Sequence, residues 1–521
     1  MINPSLLQLV ALLSLYIGRV FCLSVSIPVS APSTAPTIAP DLLSLSIEQD
    51  RWTDWSGTTS RNSFFVNTLN NLVKLTGVPP RIRIGADSED HTNFNPNVQF
   101  SQVTFPAPSA TKPYQEASHV VVGDGYYQTA QFLPPNTHVT WGVNFKSNNM
   151  TATFLQAQSI FKAFSSKTIA NANIILDGIE IGNRQFAVHH IIFAPSLAEY
   201  VQRWTTFATN ITEIPSNLTT KFWAGAFASS SRSTTGFSPQ GLIASGILST
   251  DTGARITTMS QHHYSGSFCT GSGGLLQNLM TKNTIQGNLT FFKSDITATK
   301  AKGLDYVMGE TNSYSCHGAP GVSDTAGAAI WMLDYALFGS QIGIARMYFH
   351  AGVGYKYNLL QPATLTRSTL DGTTLETPLP PHIQPQYYGA IVAAEAIGHS
   401  GATRAVELSI NDTFTSGYAF YDGDKLARAV LINSQAFLTN ATTARTSTPI
   451  TLNFTDSNAP TNMTVKRLFI PHADSTSGLT WGGQTYETTN GKVSGTLSTT
   501  KANVSEGISM QETEIVLLSF Q

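Results

Sequence analysis

Charge is what this sequence has least of. Across 521 residues only 12% are Asp, Glu, Lys or Arg, and the net charge is −2. With no cationic excess there is no electrostatic footprint for nucleic acid and no polybasic patch for an anionic membrane surface. Cysteine is nearly absent as well. Cys22, Cys269 and Cys316 are the three present, and their spacing matches no metal site. Long apolar runs are also missing. Leu6–Leu15, extended to Phe21 and Cys22, is broken by Gly18 and Arg19 and is short for a bilayer span, so no membrane anchor is expected. There is no internal repeat and no long linker.

Hydrophobic residues make up 41%, ample for a core, while Ser, Thr and Asn carry much of the polar surface. The length exceeds one ordinary core and suits a barrel of about 250–400 residues with a second domain. The N-terminal apolar run reads as a secretory signal peptide over residues 1–24, although it lacks a basic n-region; a buried N-terminal helix is the alternative. The Pro/Ser/Ala stretch Ser30–Pro40 then falls near the mature N-terminus. Asn-X-Ser/Thr occurs at Asn149, Asn210, Asn217, Asn288, Asn411, Asn440, Asn453, Asn462 and Asn503. With the signal-like start, these predict a secreted, extracellular protein with N-glycans on its surface. Cys22 would leave with the signal. In an oxidising compartment Cys269 and Cys316 can pair; two separate buried thiols are the alternative.

Short β-branched or aromatic runs ending in polar residues occur at Leu43–Gln49, Pro80–Ala86, His138–Phe145, Asp177–Asn183, Phe222–Ser229, Ile256–Tyr264, Tyr306–Thr311 and Gly343–His350. Amphipathic segments separate them, among them Ser60–Thr76, Ala152–Ile169, Ser196–Thr209 and Thr325–Gly339. Alternation of strand and helix gives a parallel sheet, and this many units closes it, so the α/β class and a (β/α)8 TIM barrel are expected over residues 41–400. After a helix at Pro385–Ile397 the texture changes. Alternating runs at Ala427–Ile432, Ile450–Phe454, Thr464–Phe469 and Glu514–Phe520 predict a C-terminal antiparallel β-sandwich over residues 401–521.

Barrel chemistry gathers at the C-terminal ends of strands. Those ends carry Glu48, Asp87 with Ser88, Asn144, Asn183 with Arg184, Ala228 with Ser229, His262-His263-Tyr264, Glu310 and His350. Any one alone is more often a satisfied polar residue or a helix cap; together they resemble the lining of a site. Retaining glycosidases set two carboxyl groups about 5–5.5 Å apart across a sugar ring. Strand ends four and seven lie across the mouth, and Glu310 is on the seventh.

Four segments carry a resemblance: Ser-Ile-Glu-Gln-Asp-Arg-Trp at 46–52, His-His-Tyr-Ser-Gly-Ser-Phe-Cys at 262–269, Gly-Glu-Thr-Asn-Ser-Tyr-Ser-Cys-His-Gly at 309–318 and Gly-Val-Gly-Tyr-Lys-Tyr at 352–357. They closely resemble fungal members of glycoside hydrolase family 79, which holds β-glucuronidases and the heparanases. The similarity runs from about residue 41 to the C-terminus. It implies a retaining mechanism with Glu310 as nucleophile, hydrogen-bonded by Tyr264. It places Tyr355 in a loop that helps to bind the uronic-acid carboxylate through Tyr hydroxyls and glycine N–H groups, and Glu48, Asp87 and Asn144 among sugar-lining positions. It implies no metal and no organic cofactor. On the expected strand map Cys269 and Cys316 follow neighbouring strands, where a bridge would pin the loops carrying Tyr264 and Glu310.

The fourth strand departs from the family pattern Glu-x-Gly-Asn-Glu, whose last Glu is the acid/base. This chain reads Glu180-Ile-Gly-Asn183-Arg184. An arginine keeps its proton above pH 12 and cannot act as a general acid near neutrality. Glu180, four residues back and roughly 13 Å along a strand, is a structural partner rather than a substitute. His189 and His190 are possible donors but are more often plain loop residues. A misjudged exon boundary is the other explanation: Arg184–Ala194 is apolar and short where the family has a polar loop, and the resemblance resumes at Ala198–Trp204. The leading expectation is an exo-β-glucuronidase-like hydrolase acting on terminal, possibly 4-O-methylated, glucuronic acid of glycans. The alternatives are a catalytically impaired carbohydrate-binding pseudo-enzyme and a same-clan glycosidase of another sugar preference.

Overall fold

The computed structural model describes residues 22–183, 196–227, 234–455 and 458–521. Eight strands form a closed barrel: β1 (Leu43–Glu48), β2 (Ile82–Gly85), β3 (His138–Val143), β4 (Ile175–Ile181), β5 (Phe222–Phe227), β6 (Ile256–Ser267), β7 (Asp305–Ser315) and β8 (Arg346–Ala351). Each strand pairs in parallel with its sequence neighbours, and β8 closes on β1. Such strands are covered on both faces, so they read as nearly unbroken apolar runs; every residue of Phe222–Phe227 is buried. The expected α/β class, a TIM barrel followed by an antiparallel domain, is the fold observed.

Local differences have local causes. The helix expected over Ala152–Ile169 is two helices, Met150–Phe164 and Lys167–Ala172, because the Ser166 hydroxyl accepts from the Ile169 N–H and starts a new helix. The sixth and seventh strands run past their expected ends, since pairing continues through Gly266 with Tyr314 and Ser267 with Ser315. Cys269 and Cys316 are bonded just beyond that extension, with their Cα atoms 5.1 Å apart. Glu310 is therefore inside a strand. The register jumps from Gln261–Met308 to His262–Glu310, leaving Gly309 as the extra residue of a bulge. A Cβ on Gly309 would stand 2.0 Å from Ser260 Oγ, so only glycine allows this approach.

The second domain is two facing sheets. The larger contains Thr403–Glu407, Thr415–Asp422, Lys425–Asn433, Glu514–Phe520 and Asn462–Phe469, paired antiparallel in that order. The smaller contains Ser447–Phe454 and Ile508–Gln511, together with an N-terminal strand, Leu23–Ile27, that pairs parallel with Ile450–Phe454. Val25 and Ile27 are fully buried in the core between the sheets. This strand overlaps the last two residues of the expected signal segment; residues 1–21 of that segment lie outside the described residues. The helix Ala326–Gln341, apolar on nearly every side, separates barrel from sheets. Its one buried carboxylate, Asp334, accepts from Lys282 Nζ at 2.8 Å and Ser416 Oγ at 2.9 Å, tying the domains together. Among the described residues no helix is long and apolar enough to cross a membrane.

Candidate active site

Arg83 organises the mouth of the barrel. It is fully buried on β2, where period-two alternation turns its side chain to the barrel interior. Its Nη1 donates to Ser46 Oγ at 2.8 Å and to Glu310 Oε2 at 3.0 Å. Its Nε donates to Glu180 Oε1 at 2.7 Å, and Nη2 reaches the same oxygen and Asn183 Oδ1, the latter at 2.9 Å. One guanidinium thus links β1, β4, the turn after β4 and β7. Burial disfavours its charge, but Glu180, Glu310 and Glu89 outweigh that and hold its proton more firmly than usual.

Glu310 is buried, with Oε1 accepting from the Tyr264 hydroxyl at 2.9 Å. His262 Nδ1 is 3.8 Å from Oε2. Donors on both carboxylate oxygens favour the ionised form, which a nucleophile requires. Asn183 is also buried, its N–H donating to Asp90 Oδ2 at 3.2 Å. Its amide nitrogen has no partner among the described residues. Asp90 also accepts from the N–H groups of Phe145 and Lys146, fixing the ends of β3 and β4 together. Burial, partly offset by those N–H groups, pushes the Asp90 carboxyl up to about 7.

Glu48 Oε1 accepts from the N–H and hydroxyl of Ser88, and its Oε2 is 3.2 Å from His350 Nε2. Burial disfavours a charged His350, but Glu310 and Glu48 overcome this and raise it. Asp87 opens the turn Asp87–His91 and is partly buried. Asn144, expected to line the sugar, is committed elsewhere. Its amide donates to the Thr92 carbonyl at 2.9 Å and its oxygen accepts from Ser147 Oγ at 2.7 Å. Tyr355 stacks on His317 with ring centroids 3.7 Å apart, and its ring lies 5.7 Å from Tyr357 and 5.8 Å from His350. Burial, then the neighbouring carboxylates, keeps both tyrosine hydroxyls protonated. The expected glycine donors need correction. The N–H groups of Gly352 and Gly354 are already bonded to Asn358 Oδ1 and Gln361 Oε1, the Tyr357 hydroxyl is hydrogen-bonded to Tyr264, and Lys356 Nζ is buried without a partner among the described residues. Arg184, His189, His190, Ala228 and Ser229 lie outside the described residues.

The structure therefore brings together Glu48, Asn183, Tyr264, Glu310 and Tyr355. The sequence reading missed Arg83 and Asp90. A signal for Arg83 was available: Arg81 and Arg83 stand two apart in one strand, so they share a face, and a barrel interior admits an arginine only with carboxylate partners. Among the described residues no group of three or more His, Cys, Asp or Glu is placed to hold a metal ion.

Residues 417–517 match the glycosyl hydrolase family 79 C-terminal β domain. The chain is 27% identical over 490 residues to a β-glucuronidase of Neurospora crassa, covering 85% of this chain and 84% of that one. It is 26% identical over 470 residues to a β-glucuronidase of Aspergillus niger, covering 85% and 82%. A solved 4-O-α-L-rhamnosyl-β-D-glucuronidase of Fusarium oxysporum superposes with TM-score 0.77 and 25% identity, over 96% of this chain and 100% of that one. By its C-terminal domain the chain is similar to glycoside hydrolase family 79, and along most of its length to fungal β-glucuronidases. It is a glucuronidase-like glycoside hydrolase, and its similarity to these enzymes spans both domains. A family 51 α-L-arabinofuranosidase of Bifidobacterium longum, 13% identical with TM-score 0.59, shares the fold alone, over 96% of this chain and 99% of that one.

Proposed function

We propose that this chain is a retaining exo-β-glucuronidase-like hydrolase for terminal glucuronic acid, 4-O-methylated forms included, in which the acid step is impaired by Arg184. The observation that carries this reading is the posture of Glu310, buried at the mouth with a donor on each carboxylate oxygen. In the first step its carboxylate attacks the anomeric carbon and forms a glycosyl ester as the C–O bond to the aglycone breaks. The aglycone oxygen must then take a proton. Arg184 cannot give one, so only a leaving group that departs as an anion goes readily. Water then cleaves the ester, releasing the uronic acid and regenerating Glu310.

The other parts support the same substrate class. The unpartnered Asn183 amide is a donor for a sugar hydroxyl next to the reacting carbon. The Tyr355 hydroxyl, kept protonated by burial, is a neutral donor for the uronate carboxylate. The two curated fungal relatives are β-glucuronidases, and the Fusarium enzyme is complexed with Rha-GlcA. We further read the chain as secreted and N-glycosylated, on its signal-like start and its sequons. A second reading, a uronic-acid-binding pseudo-enzyme, is favoured by Arg184 itself.

The test compares an aryl β-glucuronide bearing a good leaving group with a natural glucuronoyl glycan, each with and without azide. The proposal expects slow, azide-stimulated cleavage of the first and none of the second. Full activity on both contradicts it. Binding of glucuronic acid with no turnover of either favours the pseudo-enzyme. Comparing glucosides with glucuronides tests whether the Tyr355 loop selects a carboxylate. Sequencing the spliced transcript across codons 180–200 decides whether Arg184 is genuine.

A further inference from the structure

Glu89 carries a carboxyl inside the barrel to which no described residue donates. Both its oxygens are buried without a hydrogen-bond partner among the described residues. Arg83 Nη2 stands 4.0 Å from Oε2, beyond hydrogen-bond reach. Two glycines make the space: a Cβ on Gly85 would lie 2.3 Å from Glu89 Oε2, and one on Gly142 would lie 1.8 Å from it. Gly142 is the register partner of Glu180 across β3 and β4. Glu180 gives Oε1 to Arg83 and leaves Oε2, also buried, with no donor. Two carboxyl groups therefore flank one guanidinium from adjoining positions, and each has an orphaned oxygen.

The local charge does not balance if every carboxyl is ionised. The charged groups facing the pair are Arg83 from β2, Glu310 from β7 and Asp90 from the same turn as Glu89. Asp90 is held by three backbone N–H groups. Among the described residues Arg83 is the one arginine or lysine facing Glu89 and Glu180, and it serves Glu310 as well. Buried anionic oxygens without donors are costly, and like charges sharing a site bind a proton. A proton on Glu89 would remove the negative charge that no described donor meets.

We propose that Glu89 is a neutral carboxylic acid in the folded protein, beneath Arg83, which leaves the guanidinium to Glu180 and Glu310. Burial, then the charge of Glu180, pushes Glu89 well above the usual carboxylate range, and burial raises Glu180 despite Arg83. Glu89 is a positioning residue, acting on Glu310 through Arg83. That consequence rests on Glu310 being the nucleophile; the protonation of Glu89 does not.

The folded protein then holds a proton that the unfolded chain has released above the ordinary Glu value of about 4.3. Its stabilising effect is complete below that pH and is lost as pH rises toward the raised value. The test is infrared spectroscopy of the intact protein in D2O at neutral pD, with denaturant unfolding across pH, for wild type and Glu89→Gln. Glutamine mimics the neutral acid in size and shape. The expected variant stays folded at neutral pH and loses one carboxyl's intensity from the protonated C=O band. Its folding constant should also lose a one-proton pH slope, about tenfold per pH unit. An unchanged band, an unchanged slope, or a variant that fails to fold overturns the proposal. Neither readout uses turnover, so these results leave the assignment of Glu310 to be judged separately.

Discussion

Arg83 Nη1 donates to Glu310 Oε2 at 3.0 Å, so the candidate nucleophile on β7 is held by a buried cation from β2, on another side of the barrel. The same guanidinium reaches Glu180 and Asn183, so it sets the separation of the two strands that face each other across the mouth.

Removing that cation should be costly. Arg83→Met leaves Glu180 and Glu310 as buried carboxylates without their counter-charge. The expected loss of stability is about 3–5 kcal/mol, read by denaturant unfolding at neutral pH. A loss below about 1 kcal/mol would show that the carboxyls are neutral without it.

Tyr264→Phe tests the other side of Glu310. It removes one donor to Oε1 while keeping the ring, so stability should fall by no more than about 1.5 kcal/mol. A carboxylate that loses a hydrogen bond becomes a weaker acid. The acid limb of kcat/KM for an activated glucuronide should therefore move to higher pH. An unmoved limb would mean that Tyr264 does not stabilise the ionised form.

The Cys269–Cys316 bridge closes a separation of 47 residues and joins the extensions of β6 and β7. Replacing both cysteines with serine should lower stability by about 2–4 kcal/mol, seen as a lower Tm. Reductant should shift the wild type likewise and leave the variant unchanged.

Glycosylation should follow exposure. Asn149, Asn217, Asn411, Asn440, Asn453, Asn462 and Asn503 are exposed. The Asn288 amide nitrogen is buried within the helix Lys282–Thr290 and cannot carry a glycan in this fold. Glycopeptide mass spectrometry of the protein expressed through a fungal secretory pathway should find sugar among the exposed sequons and none at Asn288.

The barrel was legible because its strands are buried on both faces and alternate with amphipathic helices, so period and composition agree along the chain. Glu310 and Tyr264 were legible because they sit in long motifs on adjacent strands. Leu23–Ile27 was missed because a short alternating strand beside an apolar leader reads as part of it; only its pairing with Ile450–Phe454 separates the two. The hydrogen bonds of Asn144 were not legible because strand position predicts nearness to the mouth but not what the side chain bonds. Arg83, Glu89 and Asp90 were missed because their roles come from pairing across the barrel interior. Glu89 reaches the interior only through space left by glycines on two different strands.

The proposed function sets Glu310 as nucleophile opposite position 184, where arginine stands in place of the expected acid. The most direct measurement is turnover of an unactivated glucuronoyl glycan by Arg184→Glu against the wild type. Restored proton transfer should raise the rate by about 10²–10⁴-fold, with a smaller change on an aryl glucuronide whose leaving group needs no proton. Equal rates for the two proteins on the glycan would contradict the account.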